Sequence, residues 1–127
     1  MAKKQIQAAS GLLADIIIHG IQEKKGMDIV VMDLRKIHNA MSDYFIICHG
    51  SSKTQVDAIA DSVAMEVKKA IGENPFHKEG VENAEWILMD YFDVVVHIFE
   101  ESRRHFYNLE GLWADAEITK IKGEDRP

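Results

Sequence analysis

Apolar positions change their period several times along this chain, and each change marks an element. Ile6, Ala9, Leu13, Ile16 and Ile17 follow helical spacing, and Leu12 widens the stripe. Lys24 and Lys25 fall at the end of that helix, where cations suit its dipole, and Gly26 is the expected stop. Ile29-Val30-Val31-Met32 is a short β-branched run, which predicts a buried strand ending near Leu34. Arg35 to Ser42 reads as polar loop, and Tyr44-Phe45-Ile46-Ile47-Cys48 as a second interior strand. Gly50-Ser51-Ser52 breaks that strand, and Ser52 followed by Gln55 matches a capping box. Val56, Ile59, Ala60, Val63 and Val67 line one face of the next helix, with Asp57, Asp61, Glu66 and Lys68 outside and an end near Ile71-Gly72. After Pro75 comes a short extended piece, Phe76-His77-Lys78.

Two strand-like runs follow, Glu85 to Asp90 and Asp93 to Phe99, and they predict an antiparallel hairpin turning at Tyr91-Phe92. Glu100 to Ala116 reads as one or two short helices, with Phe106, Leu109 and Trp113 at helical spacing. The expected fold class is α/β (α+β), a mixed sheet of about five strands with helices packed on it. Residues 1–117 are expected to form a single domain and residues 118–127 a flexible C-terminal tail.

The hairpin predicts two unlike faces. A turn at Tyr91-Phe92 pairs Asp90 with Asp93, Met89 with Val94, Leu88 with Val95, Ile87 with Val96 and Trp86 with His97. Side chains alternate across a strand. One face then collects Ile87, Met89, Val94, Val96 and Ile98 and belongs to the core. The other collects Trp86, Leu88, Asp90, Asp93, Val95 and His97, with Tyr91 at its turn end. Opposed like charges cost a hairpin a few tenths to ~1 kcal/mol, which a basic partner would relieve. Apolar anchors rimmed by charge have the make-up of a protein-binding patch. Coverage of this face by the segment from Phe106 to Trp113 is the alternative.

The chain has 127 residues, 46 % of them hydrophobic and 28 % charged, which suits one folded domain with its own core. A formal net charge of −6 disfavours a broad grip on a phosphate backbone and suits a basic partner. The lone cysteine, Cys48, excludes an internal disulfide framework and a four-cysteine zinc module. No stretch approaches the ~18 apolar residues of a membrane span, and the N-terminus makes a poor signal peptide, so a soluble cytoplasmic protein is expected.

Chemistry is sparse. A strand followed by Gly50-Ser51 and a helix is where a phosphate loop would sit, but it is too short for a P-loop. A nucleotidyltransferase-like enzyme using Gly50-Ser51 would need a strand-borne carboxylate pair to hold magnesium. The comparable position holds Asp61-Ser62-Val63, in the predicted helix. Cys48 and His49 are adjacent in a strand and so face opposite ways, which forbids a hydrogen-bonded dyad. The six histidines show no two-His metal spacing. No catalytic residue, cofactor or metal is expected.

The segment from Trp86 to Phe99, continued by Arg104, Phe106-Tyr107, Leu109-Glu110 and Leu112-Trp113, resembles the ribosomal silencing factor family, RsfS or Iojap. Ser42-Asp43-Tyr44-Phe45-Ile46-Ile47, Gly50-Ser51-Ser52, Gln55, Ala58-Ile59-Ala60 and Glu79-Gly80 resemble it in the same order and spacing. The resemblance implies a domain of nucleotidyltransferase-like topology without catalytic activity. It implies binding to the large ribosomal subunit through large-subunit ribosomal protein fourteen, which blocks joining of the small subunit and represses translation when nutrients are scarce. It further implies homodimers of the free protein and little direct contact with nucleic acid. Phe92 stands where many members carry glycine. The residues expected at the ribosomal-protein contact are Trp86, Leu88, Asp90, Tyr91, Phe92, Asp93 and His97.

Overall fold

A computed structural model describes residues 8–37, 39–108, 111 and 116–121, and among them three helices and six strands are defined. They are α1 (Ala8–Glu23), β1 (Met27–Asp33), β2 (Tyr44–Gly50), α2 (Lys53–Ile71), β3 (His77–Glu79), β4 (Trp86–Asp90), β5 (Val94–Glu100), α3 (Glu101–Tyr107) and β6 (Glu117–Ile121). The strands form one mixed sheet in the order β3-β4-β5-β2-β1-β6. Among the described residues only β2 and β5 run parallel, with Tyr44 opposite Val94 and Gly50 opposite Glu100. Both are central and covered on both faces, which is why each appears in the sequence as a near-continuous apolar run.

Helices α1 and α2 cover one face of the sheet. Leu13, Ile17 and Ile21 of α1 and Val56, Ile59, Val63 and Val67 of α2 bury against Ile46, Cys48, Ile87, Met89, Val94, Val96 and Ile98. The helices approach closely where Ser62 Oγ donates to the Gly20 carbonyl at 2.7 Å. A smaller cluster lies on the opposite face: Val30, Met32, Leu34, Ile47 and Phe99, with Phe45, Trp86 and Ala116 packed on it.

Local punctuation follows the sequence closely, with small differences. Ser52 caps α2 by accepting the Gln55 N–H at 3.1 Å. The returning bond goes one residue further than the motif predicts, since Gln55 Oε1 accepts the Ser51 N–H at 2.7 Å. Gly72, at φ +73, closes α2 as expected. After α1 it is Lys25, at φ +60, that takes the left-handed conformation. Gly26 serves close approach instead, since a Cβ there would sit 2.3 Å from Ile21 Cγ2.

Three expectations are corrected. The sheet has six strands, not about five, because Glu117–Ile121 pairs antiparallel with β1 where a loose tail was expected from Ile118. The hairpin register differs by two residues, with Leu88 opposite His97, Met89 opposite Val96 and Asp90 opposite Val95. Phe92 and Asp93 therefore form the turn, closed by the Tyr91 N–H donating to the Val94 carbonyl at 2.9 Å. A shift of two preserves alternation, so the strand faces stand as expected. Finally, Tyr91 leans to the helix side and is buried in the main core. The expected stripe of Phe106, Leu109 and Trp113 lies outside the described side chains.

Candidate functional site

The face of β4 turned away from α1 and α2 carries Trp86, Leu88 and Asp90, each half-buried. Trp86 stacks on Phe99 with ring centroids 5.0 Å apart. Its indole N–H donates to His97 Nδ1 at 3.1 Å. That bond places the His97 proton on Nε2, which is buried without a hydrogen-bond partner. Burial holds the His97 pKa down to about 4, so the imidazole is neutral near pH 7. His97 is only 3 % exposed and Phe45 packs edge-on against it at 4.7 Å. His97, expected among the contact residues, is therefore buried and supports Trp86 from beneath.

Tyr91 is likewise removed from the surface. It is 5 % exposed on the helix side, and burial pushes its hydroxyl up to about 12. Asp90 and Asp93 do not oppose one another as expected. Asp90 Oδ1 accepts the Phe92 N–H at 2.7 Å, an Asx-type bond that sets the turn and carries Asp93 into it. Phe92 sits at φ +80, the positive value a tight hairpin turn requires at this position.

The parallel register of β2 and β5 brings the loop before β2 against this turn. The Asp93 carbonyl accepts the Asp43 N–H at 2.8 Å, and Ser42 Oγ donates to the Phe92 carbonyl at 3.1 Å. The tip of the sheet thus carries Asp43, Asp90 and Asp93 around exposed apolar side chains. Phe92 is 69 % exposed and Phe76 77 %, and their rings meet edge to face at 6.0 Å. Met41 is 96 % exposed in the adjoining loop. Sequence reasoning placed Phe92 here and missed Phe76 and Met41. Their signal was a large apolar side chain isolated among polar loop neighbours.

The alternative catalytic loop is occupied by its own helix cap. The Ser51 N–H and Oγ both donate to Gln55 Oε1, at 2.7 and 3.0 Å. Asp61 lies exposed on α2, and Cys48 is fully buried, its thiol pushed up to about 12 by burial. Among the described residues no group of three or more His, Cys, Asp or Glu side chains gathers to hold a metal. Nor is any described helix long and apolar enough to cross a membrane.

Comparison with known proteins places these features in a family. Residues 6–127 match the family model described as "Ribosomal silencing factor during starvation". The chain is 42 % identical over 102 residues to a ribosomal silencing factor of Bacillus subtilis, covering 78 % of this chain and 82 % of the relative. It is 39 % identical over 114 residues to one from Halalkalibacterium halodurans, covering 87 % and 93 %. A crystal structure of protein CV0518 from Chromobacterium violaceum superposes with a TM-score of 0.77 at 32 % identity, covering 92 % of this chain and 96 % of that one.

Proposed function

This chain belongs to the ribosomal silencing factor family, and we propose that it binds the large ribosomal subunit and prevents the small subunit from joining. The contact runs through large-subunit ribosomal protein fourteen, in the cytoplasm, and the response is to nutrient scarcity. The observation that carries the choice of surface is the exposed Phe76–Phe92 pair ringed by Asp43, Asp90 and Asp93. An apolar centre with an acidic rim suits a basic protein partner, and the −6 formal charge of the chain adds long-range attraction. Leu88 extends that surface along β4, and Trp86, braced by His97 and Phe99, closes its far end.

The reading is of a binding protein and not an enzyme. Ser51, the residue a nucleotidyl-transfer site would recruit, spends its hydroxyl on Gln55. Its relatives carry the name of silencing factors.

The test combines retention and subunit joining. Immobilised protein should retain large subunits without small ones from a mixture of the two. The free protein should lower the yield of joined ribosomes in a gradient. Asp93→Lys should lose more affinity than Asp93→Ala, because it adds repulsion to a lost attraction. Failure to retain large subunits, or joining at full yield with saturating protein, would overturn the reading.

A further inference from the structure

The loop that joins β1 to β2 is pinned to the folded sheet on both sides of a single residue. Before it, the Ala40 N–H donates to the Ile37 carbonyl at 3.3 Å, and both side chains pack on the minor cluster. After it, Ser42 Oγ donates to the Phe92 carbonyl at 3.1 Å, and the Asp43 N–H to the Asp93 carbonyl at 2.8 Å. The residue between them is Met41, which is 96 % exposed. A backbone anchored at both neighbours fixes where its thioether stands, beside the turn that presents Phe92 to Phe76.

A thioether sulfur is a nucleophile, and oxidants reach it according to its exposure. The described methionines differ sharply in that respect. Met32 and Met89 are fully buried, Met27 is half-buried, and Met65 on α2 is 56 % exposed. Cys48, the other sulfur-bearing side chain, is fully buried and shielded from the same oxidant. A peroxide therefore meets Met41 before the others. Met41 Sδ attacks one peroxide oxygen, so that an S–O bond forms as the O–O bond breaks. The sulfur is oxidised by two electrons, and the second oxygen leaves as water. The product is a sulfoxide, which turns a flexible apolar side chain into a polar one.

We infer that Met41 is a contact residue of the proposed large-subunit surface and the site at which a peroxide switches that surface off. The inference rests on the large-subunit reading and adds regulation of the same site by oxidation. Reduced, Met41 extends the apolar centre of Phe76 and Phe92 into the neighbouring loop, with a thioether that adapts its shape to a partner. Oxidised, the same side chain carries an oxygen that the contact strips of water without returning a hydrogen bond. Affinity then falls while the fold stands, because a side chain this exposed adds little to internal packing. The change is reversible: two thiols reduce the sulfoxide to the thioether and leave as a disulfide, with release of water.

The experiment treats the full chain with limiting hydrogen peroxide and then removes the oxidant. One portion is digested and read by mass spectrometry, and another is tested for retention of large subunits. Met41 should gain an oxygen ahead of Met65, with Met32 and Met89 unchanged and the melting temperature unaltered. The oxidised protein should bind large subunits about tenfold more weakly, and a dithiol with methionine sulfoxide reductases should restore the untreated affinity. Met41→Leu keeps an apolar side chain that cannot take up oxygen, so its retention should be the same before and after peroxide. Met65→Leu should lose retention on treatment as the wild type does. Equal retention by treated and untreated wild type, or an equal loss in Met41→Leu, overturns this inference and leaves the large-subunit reading standing. So does oxidation of Met65 ahead of Met41. No retention by the untreated protein overturns the large-subunit reading and this inference with it.

Discussion

His97 shows how a single residue can be chosen for what it does out of sight. Its neutral ring accepts the Trp86 indole proton only while it stays unprotonated. In the unfolded chain this imidazole takes up a proton near its ordinary value of 6.5, and in the fold only near 4. The unfolded state therefore binds more protons between those values. Stability from this group is fully present above pH 6.5 and is lost as pH falls, by about 3 kcal/mol in all. Burial and Arg104 lower the His49 pKa as well, which adds in the same direction. Urea unfolding from pH 7 down to about 5, above the main carboxylate range, should show falling stability, and His97→Gln should flatten the slope. An unchanged slope in that variant would remove His97 from the account. At Phe92 opposing terms nearly cancel. Replacement by glycine relieves ~1–2 kcal/mol of strain at positive φ. It gives back ~0.4–1 kcal/mol through the freer unfolded chain, and about as much through the lost Phe76 edge contact. Phe92→Gly should therefore melt within a few degrees of wild type yet retain fewer large subunits.

Among the elements, the α1–β1 and β2–α2 connections are tied together by one side chain. Gln55 accepts from Ser51 through Oε1 and donates through Nε2 to the Lys24 and Lys25 carbonyls, both at 3.1 Å. An amide can do both, and a carboxylate cannot. Gln55→Ala should cost about 1–2 kcal/mol through lost capping and tying. Gln55→Glu keeps the acceptor but sets a negative oxygen against two carbonyls, so it should recover little of that loss. Recovery to wild-type stability in Gln55→Glu, measured by chemical denaturation, would show that only the cap matters.

On the scale of the whole molecule, the main core fills one face of the sheet and the proposed contact surface lies toward the other, though the division is not complete. Trp86 belongs partly to each role, since it packs on the minor cluster and borders the proposed contact surface. Trp86→Ala should therefore lower stability by about 3 kcal/mol as well as weaken binding. Leu88→Asp acts on a half-buried edge-side position and should weaken binding with a smaller loss of stability. Val96→Ala, fully buried under the helices, should cost ~1.5–3 kcal/mol and leave affinity for the large subunit unchanged in the folded fraction. Parallel melts and retention assays check the three together. If Leu88→Asp binds like wild type, the contact does not extend along β4. Raising salt should slow association more than it speeds release, because the chain charge acts before contact.

Several features were legible because they depend on local chemistry. The interior strands announced themselves as apolar runs, and Ser52 with Gly72 marked the ends of α2. The split of β4 and β5 into two faces followed from side-chain alternation, which survives any register shift of an even number. Only the tertiary structure could decide the register itself, since alternation repeats every second residue and the Asp90 bond to Phe92 sets the turn. The same holds for β6, whose exposed Glu117–Ile121 segment has no buried face to imprint a pattern and is held by pairing with β1. Burial of Tyr91 and His97 depended on what the folded sheet laid over them. The hollow lined by Asp28, His49, Arg104 and Lys120 draws on four elements far apart in the chain, so no local window of sequence contains it; only the fold brings these residues together.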